Sequence, residues 1–339
     1  MTFNVHGWRD THHNPSLVGI IEAVAKISPD ILILNEVLHP FFPESLGNEY
    51  WQCVKRGEGA TYNLARESAG SEKSALCRLA ERTGLVHRTF AAAISKGYFG
   101  SGVEFGNAIL SRFPIVESSE AFFVPPERFQ ASRRIEAERR SCSMARIRLD
   151  WNQDIVVAAT HIDQLDEALR LTQVRYFMDQ FNKFSPNVDN RMLVGDLNVF
   201  HRADYSSSAW GTLCDEWASR GWPQPAKKCP SIDCILESGF ADTFYEAEST
   251  QGDFPLATCW TEKPLMRLDY IFANESALRK SNIRIDSYRC FTQCNASDHF
   301  PVYADMRIQQ STVRISSPRS VSYDNPNESD SDSASSASS

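Results

Sequence analysis

Apolar residues in the first forty positions follow two different periods. They recur at helical spacing from Leu17 to Ile27, directly after Asn14-Pro15, and then form a continuous run from Ile31 to Leu34. The first pattern predicts a helix capped by Asn14, because proline is favoured in a first helical turn. The second predicts a short strand buried on both faces. This strand is expected to end at Leu34, immediately before Asn35-Glu36.

Helical and strand patterns continue to alternate up to about residue 308. Further strands are predicted at 85–94, 106–118, 144–150, 155–159, 192–194, 268–273 and 301–308, and further helices at 72–82, 166–184 and 231–237. Residues 39–71 and 195–230 are predicted to be irregular. Numerous strands with interleaved helices and hairpin-like pairs predict one α/β domain with mixed sheets.

The last part of the chain has a different composition. From about Ser311 it consists mainly of Ser, Asp, Asn and Pro, with almost nothing to bury. This predicts a domain over residues 1–310 and a disordered Ser/Asp-rich tail over residues 311–339.

Composition narrows the class of protein. The 339 residues are 42% hydrophobic and 23% charged, which is ordinary for a globular chain. The net charge of −8 argues against a broad basic surface for nucleic acid but leaves room for a local basic groove. No apolar run is long enough to span a bilayer, and the N-terminus has no signal-peptide pattern. Nine scattered cysteines predict reduced thiols in a cytoplasmic or nuclear protein. The sequence indicates no obvious protein partner.

Polar side chains that could act in catalysis or bind a metal stand where the predicted strands begin or end. They are Asn4, Glu36, His161, Asp196, Asn198, Asp269, Asp298 and His299. Each has an ordinary structural explanation by itself: a turn or cap, a solvated strand end, a satisfied core histidine, or a surface ion pair between Asp269 and Arg267. Together they favour function, because strand-end loops are where α/β proteins gather functional groups.

The residue types in this set favour phosphoester chemistry. Hard oxygen ligands with no cysteine among them suit Mg²⁺ or Mn²⁺ better than zinc. An Asp-x-Asn pair such as Asp196 and Asn198 can accept a proton from water and hold that water. A histidine backed by an aspartate can stay cationic and stabilise negative charge on phosphorus. The set predicts metal-assisted phosphoester hydrolysis.

Seven short motifs occur in a characteristic order. They are "TFNVHG", "LNEV", "GNAILSRFPI", "ATHID", "VGDLN", "RLDYIF" and "SDHFPV", which span roughly residues 1–308. In this order they resemble the endonuclease/exonuclease/phosphatase superfamily, which has the DNase I-like fold. The resemblance implies a four-layer α/β/β/α sandwich of two packed mixed β-sheets, with the site at one end. It also implies a divalent metal, normally Mg²⁺.

The resemblance implies metal-side and water-side residues. Glu36 and Asn4 are expected at the metal, and Asp298 is expected as a metal ligand or beside one. Asp196 is expected to act as the general base or to orient the attacking water. Asn198 is expected to orient the same water and a phosphate oxygen.

The resemblance also implies residues at the phosphate. His299 is expected to stabilise the pentavalent phosphorus, and Asp269 is expected to orient His299. His161 is expected to contact the phosphate and to assist the leaving group. Arg140 is expected to bind substrate near the phosphate, and Asn107 is expected next to the substrate-binding groups.

Three features depart from the family pattern or leave a choice. Arg139 could take the place of Arg140. His6 stands where many nuclease members have Asp or Asn, so one metal-side ligand differs. The first strand starts almost at Met1, which is short for this fold and is compatible with a truncated or upstream start.

The sequence leaves the substrate open among nucleic acid, phospholipid headgroups and small phosphoesters such as inositol or nucleotide phosphates. The segment 200–228 carries aromatic and basic residues that could stack on bases, or could pack against one another. Residues 39–51 could meet a lipid or form a packed lid. A catalytically silent binding module is the remaining alternative, and the complete set of polar residues argues against it.

Overall fold

Two mixed sheets pack face to face in the computed structural model, which describes residues 1–42, 73–94, 103–124, 139–149, 153–280 and 282–308. The strands, in chain order, are β1 Thr2–Asn4, β2 Ile31–His39, β3 His87–Ile94, β4 Glu104–Ser111, β5 Ile115–Phe123, β6 Arg140–Arg148, β7 Asp154–His161, β8 Arg191–Asp196, β9 Phe240–Asp242, β10 Asp269–Asn274, β11 Ile283–Cys290 and β12 Val302–Ile308. The helices are α1 Leu17–Ile27, α2 Ala75–Thr83, α3 Glu167–Lys183, α4 Ser207–Ser219, α5 Pro230–Glu237, α6 Thr243–Glu246 and α7 Glu275–Arg279.

The strand order brings distant parts of the chain together. Among the described residues, one sheet has the order β11-β12-β1-β2-β4-β3 and the other β5-β6-β7-β8-β10-β9. The pairs β1–β2 and β7–β8 are parallel, and the other pairs are antiparallel. Both sheets are therefore mixed.

Side chains alternate between two cores, which produces four layers. In β2, Leu32 and Leu34 face the core shared with α1 and α2, whereas Ile33 faces the core between the sheets. In β7, Val156 faces the core shared with α3 and α5, and Val157 faces the core between the sheets. Successive strand residues point to opposite faces, so both faces of these strands are apolar. The predicted α/β/β/α sandwich is confirmed.

Strand β2 is longer than predicted and contains a bulge. It runs to His39, and its register with β4 shifts between Leu34 and Val37, so that Asn35 and Glu36 oppose Asn107 alone. The prediction that the strand ends before Asn35-Glu36 was wrong. The extra residue on β2 and the left-handed φ of +56° at Glu36 are typical of a bulge that redirects a side chain.

Other local predictions need correction. The segment predicted as an irregular loop up to residue 230 contains helix α4. The predicted strand 106–118 is two strands, β4 and β5, separated by a turn. Helix α1 begins at Leu17 with Ser16 as its N-cap, and Asn14 instead donates to Asp10. Strands β9 and β11 were not predicted.

Some sequence-based expectations lie outside the described residues, notably those for 43–72 and for the tail 311–339. Eight cysteines in the described part of the chain are free thiols, and five of them are buried. Within the described segments, no helix combines the length and apolar character needed to cross a membrane.

Candidate active site

Four strands bring the predicted residues to one edge of the two sheets. Asn4, His161 and Asp196 are the last residues of β1, β7 and β8, and Asp269 is the first residue of the antiparallel strand β10. In the register of the second sheet, Asp196 lies opposite both His161 and Asp269. The strand-end positions predicted for these four residues are confirmed.

The carboxylate of Asp196 is the centre of the cluster and is 1% exposed. Nδ2 of Asn4 donates to Oδ2 of Asp196 at 3.0 Å and to Oε1 of Glu36 at 3.1 Å. The backbone N–H of Asn198 donates to Oδ1 of Asp196 at 2.9 Å. Nε2 of His161 and Nε2 of His299 lie 3.6 and 3.7 Å from Oδ2. The metal-side and phosphate-side residues therefore meet at one side chain.

Burial and neighbouring charges weaken the acidity of Asp196. Burial raises the pKa of its carboxyl to about 7, and the negative charges of Asp269 and Glu36 act in the same direction. The charge of His299 and the hydrogen bond from Asn4 oppose this shift. Proton exchange near neutral pH suits a general base.

His299 is held in its charged form. Its Nδ1 lies 2.8 Å from Oδ2 of the fully buried Asp269. Burial alone would lower the pKa of His299, but the neighbouring carboxylates of Asp269 and Asp196 raise it well above its ordinary value. Burial also raises the pKa of the Cys259 thiol to about 11, so that this thiol is neutral at physiological pH and the two carboxylates provide the stabilising charge.

His161 has the opposite charge state, although it lies in the same cluster. Burial, together with the charges of Arg140 and His299, lowers the pKa of His161 well below its ordinary value. Nη1 of Arg140 lies 3.1 Å from Nδ1 of His161, and Nδ2 of Asn198 lies 2.9 Å from Nε2. Arg140 and Asn198 both present N–H donors to the ring. A neutral imidazole has one unprotonated nitrogen that can accept such a hydrogen bond, whereas an imidazolium has none. His161 is therefore neutral at neutral pH.

The structure distinguishes the two candidate arginines by their surroundings. Arg140 is 2% exposed and contacts His161, whereas the guanidinium of Arg139 lies 5.9 Å above the ring of Phe122 and is exposed. Asn198 has a left-handed φ of +49°, which aims its amide at His161 and at the carbonyl of Ile162. Strained backbone of this kind persists where surrounding contacts enforce it.

Asn35 is a site residue that the sequence analysis did not assign. Its Oδ1 accepts the backbone N–H of Asp196 at 3.0 Å, and its Nδ2 donates to Oδ1 of Asn107 at 2.7 Å and to the carbonyl of Thr160 at 3.0 Å. Asn107 in turn donates to the carbonyl of Ser141 at 2.9 Å. Asn107 thus lies behind Asn35 and positions it. The signal for Asn35 was its place inside the "LNEV" motif.

Asp298 lies at the more open side of the cluster. Its Oδ1 is 3.7 Å from Nδ1 of His6, and its side chain is 24% exposed. Oγ of Ser297 donates to the carbonyl of Asn4 at 2.7 Å, which anchors this segment to β1. The remaining predicted metal-side residue is therefore brought to the same edge.

The donor set fits a hard divalent cation. Glu36, His161 and Asp196 each place a ligand atom within 4.8 Å of the others, as do Asp196, Asp269 and His299. Oδ1 of Asp269 is buried and has no hydrogen-bond partner among the described residues. Buried carboxylates are normally paired or bound to metal, and Mg²⁺ prefers carboxylate oxygens together with water and phosphate.

The structure decides between the ordinary and the functional explanation for two of the sequence features. Arg267 is fully buried and bonds Asp204 and Asp242 at 2.9 and 2.7 Å, so it is not a surface partner of Asp269. In the aromatic segment, Tyr205, Trp210 and Trp217 are buried in one cluster with Cys259, Met266 and Leu268. These three rings therefore pack in the interior, whereas Trp222 of the same segment is 41% exposed.

Comparisons with known proteins agree with this geometry. The model of the Endonuclease/Exonuclease/phosphatase family matches residues 1–299. A search of curated proteins finds no significant match. Among solved structures, an endonuclease/exonuclease/phosphatase from Beutenbergia cavernae DSM 12333 is similar at TM-score 0.60 and 19% identity, over 91% of this chain and 70% of that one.

Two further solved structures have the same fold. The mannosyl-6-phosphatase Bt3783 of Bacteroides thetaiotaomicron VPI-5482 is similar at TM-score 0.54 and 15% identity, over 86% of this chain and 91% of that one. A 3′ phosphatase from Neisseria, bound to a product DNA hairpin, is similar at TM-score 0.50 and 15% identity, over 90% of this chain and 98% of that one. At these identities the likeness shows the fold alone.

Proposed function

Because the chain belongs to the endonuclease/exonuclease/phosphatase family, we propose that it is a divalent-metal-dependent phosphoester hydrolase in which Asp196 activates the attacking water. One observation carries the proposal. The buried carboxylate of Asp196 shares Asn4 as a hydrogen-bond donor with Glu36 and faces both His161 and His299. This arrangement supports the proposal, in which Asp196 is the base, Glu36 the metal-side carboxylate and His299 the cationic donor around one small volume.

The water is activated on the Asp196 side of the site. Asn4 and the backbone N–H of Asn198 fix the two oxygens of the Asp196 carboxylate, and Asn35 fixes its backbone. The carboxylate accepts the proton of the attacking water as the bond to phosphorus forms. The side-chain amide of Asn198 lies on the same side and orients that water.

His299 and Arg140 stabilise the negative charge that develops on the phosphoryl group. The imidazolium of His299, held by Asp269, donates to a phosphoryl oxygen as charge builds in the transition state. Arg140 supplies a fixed positive charge, and the neutral ring of His161 lies between Arg140 and Asn198. A neutral His161 contacts the phosphate as a hydrogen-bonding group rather than as a cation.

Glu36 and Asn4, with Asp298 close by, would hold the divalent cation, with Mg²⁺ as the expected metal and Mn²⁺ as the substitute. When bound, the cation polarises the phosphoryl group as a Lewis acid. The chain's own part is to offer oxygen ligands and leave room for water and substrate oxygens.

A second candidate concerns the substrate: a small phosphoester rather than an extended nucleic acid. The observation in its favour is that Tyr205, Trp210 and Trp217 are buried, which removes three of the aromatic rings that could have stacked on bases and leaves Trp222 exposed. The acidic net charge of the chain acts in the same direction. Nucleic-acid ends and lipid headgroups stay in the panel of substrates to be tested.

The test compares the full chain with Asp196→Asn and with the exposed control Asp189→Asn. Each is assayed with Mg²⁺ and with EDTA on single- and double-stranded oligonucleotides, a sphingomyelin-type lipid, and inositol, sugar and nucleotide phosphates. We expect Mg²⁺-dependent cleavage of one class, lowered at least about 10²-fold by Asp196→Asn and unchanged in the control. Full activity of Asp196→Asn on any of these substrates contradicts the mechanism.

A further inference from the structure

A cysteine, an aspartate and a histidine meet beside the proposed catalytic site. Sγ of Cys259, a carboxylate oxygen of Asp298 and a ring nitrogen of His299 all lie within 4.8 Å of one another. The backbone fixes this meeting: Cys259 and His299 form an isolated bridge, and the N–H of Thr261 donates to the carbonyl of Asp298 at 3.1 Å. The three side chains are thus held together by two paired segments, not by rotamer choice alone.

His6 lies next to this cluster, beside Asp298. Its Nδ1 lies 3.7 Å from Oδ1 of Asp298. The Nδ1 atom is buried and makes no hydrogen bond with any described residue. A buried ring nitrogen without a partner, next to a carboxylate, is suited to bind a cation.

We propose that Cys259, Asp298 and His299 form a binding site for a thiophilic divalent cation, Zn²⁺ or Cd²⁺, with His6 next to the site. The reason is the mixture of donors. A thiolate, an imidazole and a carboxylate are three ligands of the kind that Zn²⁺ takes, with a fourth position left for water or the neighbouring His6, whereas Mg²⁺ prefers oxygen alone. Binding releases two protons to solvent, one from the Cys259 thiol and one from the imidazolium of His299, because both ligands must be deprotonated to bind the cation.

The surroundings of the site favour binding. Nδ1 of His299 is bonded to Asp269, and metal-binding histidines usually have such a carboxylate at their other nitrogen. The side chains of His6 and Asp298 are 19% and 24% exposed, which gives a cation a path from solvent to the buried Cys259.

A cation at this site would act as an inhibitor. It would hold His299 and Asp298, and under the proposed function these residues serve the phosphate and the Mg²⁺. This consequence depends on the proposed function, but the binding itself does not. The two are therefore tested separately.

The binding test uses the full chain, freed of metal and without substrate. Cd²⁺ is titrated while the thiolate-to-cadmium charge-transfer absorption is followed, and Zn²⁺ affinity is measured by calorimetry. Cys259→Ser is compared with Cys294→Ser, which changes another buried free thiol in the same way. We expect Cys259→Ser to lose one thiolate equivalent of absorption and at least about tenfold in Zn²⁺ affinity, with Cys294→Ser like the wild type.

Further variants and outcomes complete the test. His6→Ala, which changes a partly exposed side chain, is expected to weaken Zn²⁺ binding while it keeps the cadmium–thiolate absorption. Equal absorption and equal Zn²⁺ affinity in the wild type and Cys259→Ser overturn the site. If Cys259→Ser does not fold, unchanged Zn²⁺ affinity in His6→Ala and Asp298→Asn overturns it instead. A protein that hydrolyses nothing in the substrate panel still gives a result in these titrations.

Discussion

Nδ1 of His299 lies 2.8 Å from Oδ2 of Asp269, and the opposite ring nitrogen of His299 lies 3.7 Å from Oδ2 of Asp196. One imidazolium therefore stands between two buried carboxylates on paired strands. Each carboxylate raises the pKa of His299, and His299 in return lowers the pKa of Asp196. The charge states of the three groups are coupled.

We expect Asp269→Asn to lower the pKa of His299, because the substitution removes a negative charge in direct contact with the ring. In the wild type, His299 should keep its proton well above pH 6.5, and in the variant it should lose it at a lower pH. Histidine NMR titration measures both. Under the proposed mechanism, activity at neutral pH falls about 10²–10³-fold, the cost of losing one transition-state donor. A pKa of His299 that does not move contradicts this assignment.

The pH dependence of stability should differ between the wild type and Asp196→Asn. The pKa of Asp196 is raised in the folded chain, so the folded state keeps a proton that the unfolded state releases. The contribution of Asp196 to wild-type stability therefore decreases as pH rises from about 4 to about 7, the interval between its unfolded and folded pKa values, and this cost persists above it.

An asparagine at position 196 does not carry this cost. Without divalent metal, the difference in unfolding free energy should shift in favour of Asp196→Asn as pH rises through that interval and then stay constant. Urea unfolding at a series of pH values measures it, and Mg²⁺ should reduce the difference by stabilising the wild-type carboxylate. A difference that is independent of pH rules this explanation out.

Two glycine-to-alanine substitutions should have opposite effects. A Cβ at Gly195, where φ is +144°, would lie 2.0 Å from the carbonyl oxygen of Thr160, so β7 and β8 would have to separate. We expect Gly195→Ala to destabilise by more than about 4 kcal/mol or to prevent folding. Gly211, in α4, has open space at its Cβ, and Gly211→Ala should stabilise by about 0.5–1 kcal/mol. Thermal and urea unfolding compare them, and similar effects of the two substitutions contradict the prediction.

The buried ion-pair network around Arg267 should be essential to stability. Burial alone would raise the pKa of Asp204, but the charge of Arg267 holds it below its ordinary value. We expect Arg267→Met to cost about 3–5 kcal/mol, because Asp204 and Asp242 stay buried without their cation. The triple variant with Asp204→Asn and Asp242→Asn should recover part of this loss in urea unfolding. A cost below about 1 kcal/mol for Arg267→Met is incompatible with this role.

The local sequence pattern determined where the site lies along the chain. Strands buried on both faces read as apolar runs, so the polar residues at their ends, such as Asn4, His161 and Asp196, stand out without any structure. Helix α4 also left a signal, with Trp210, Leu213 and Trp217 at helical spacing, but its glycine and serines obscured that signal.

Only the tertiary structure decided what depends on neighbours distant in sequence. The bulge that turns Asn35 toward Asp196 follows from the register of β2 against β4, which local pattern does not specify. His161 and His299 are the same residue type at the same site, yet one is neutral and the other charged. Arg140 lies beside the first and Asp269 beside the second. Local sequence thus fixed which groups exist and where strands end, whereas long-range packing fixed their contacts and charge.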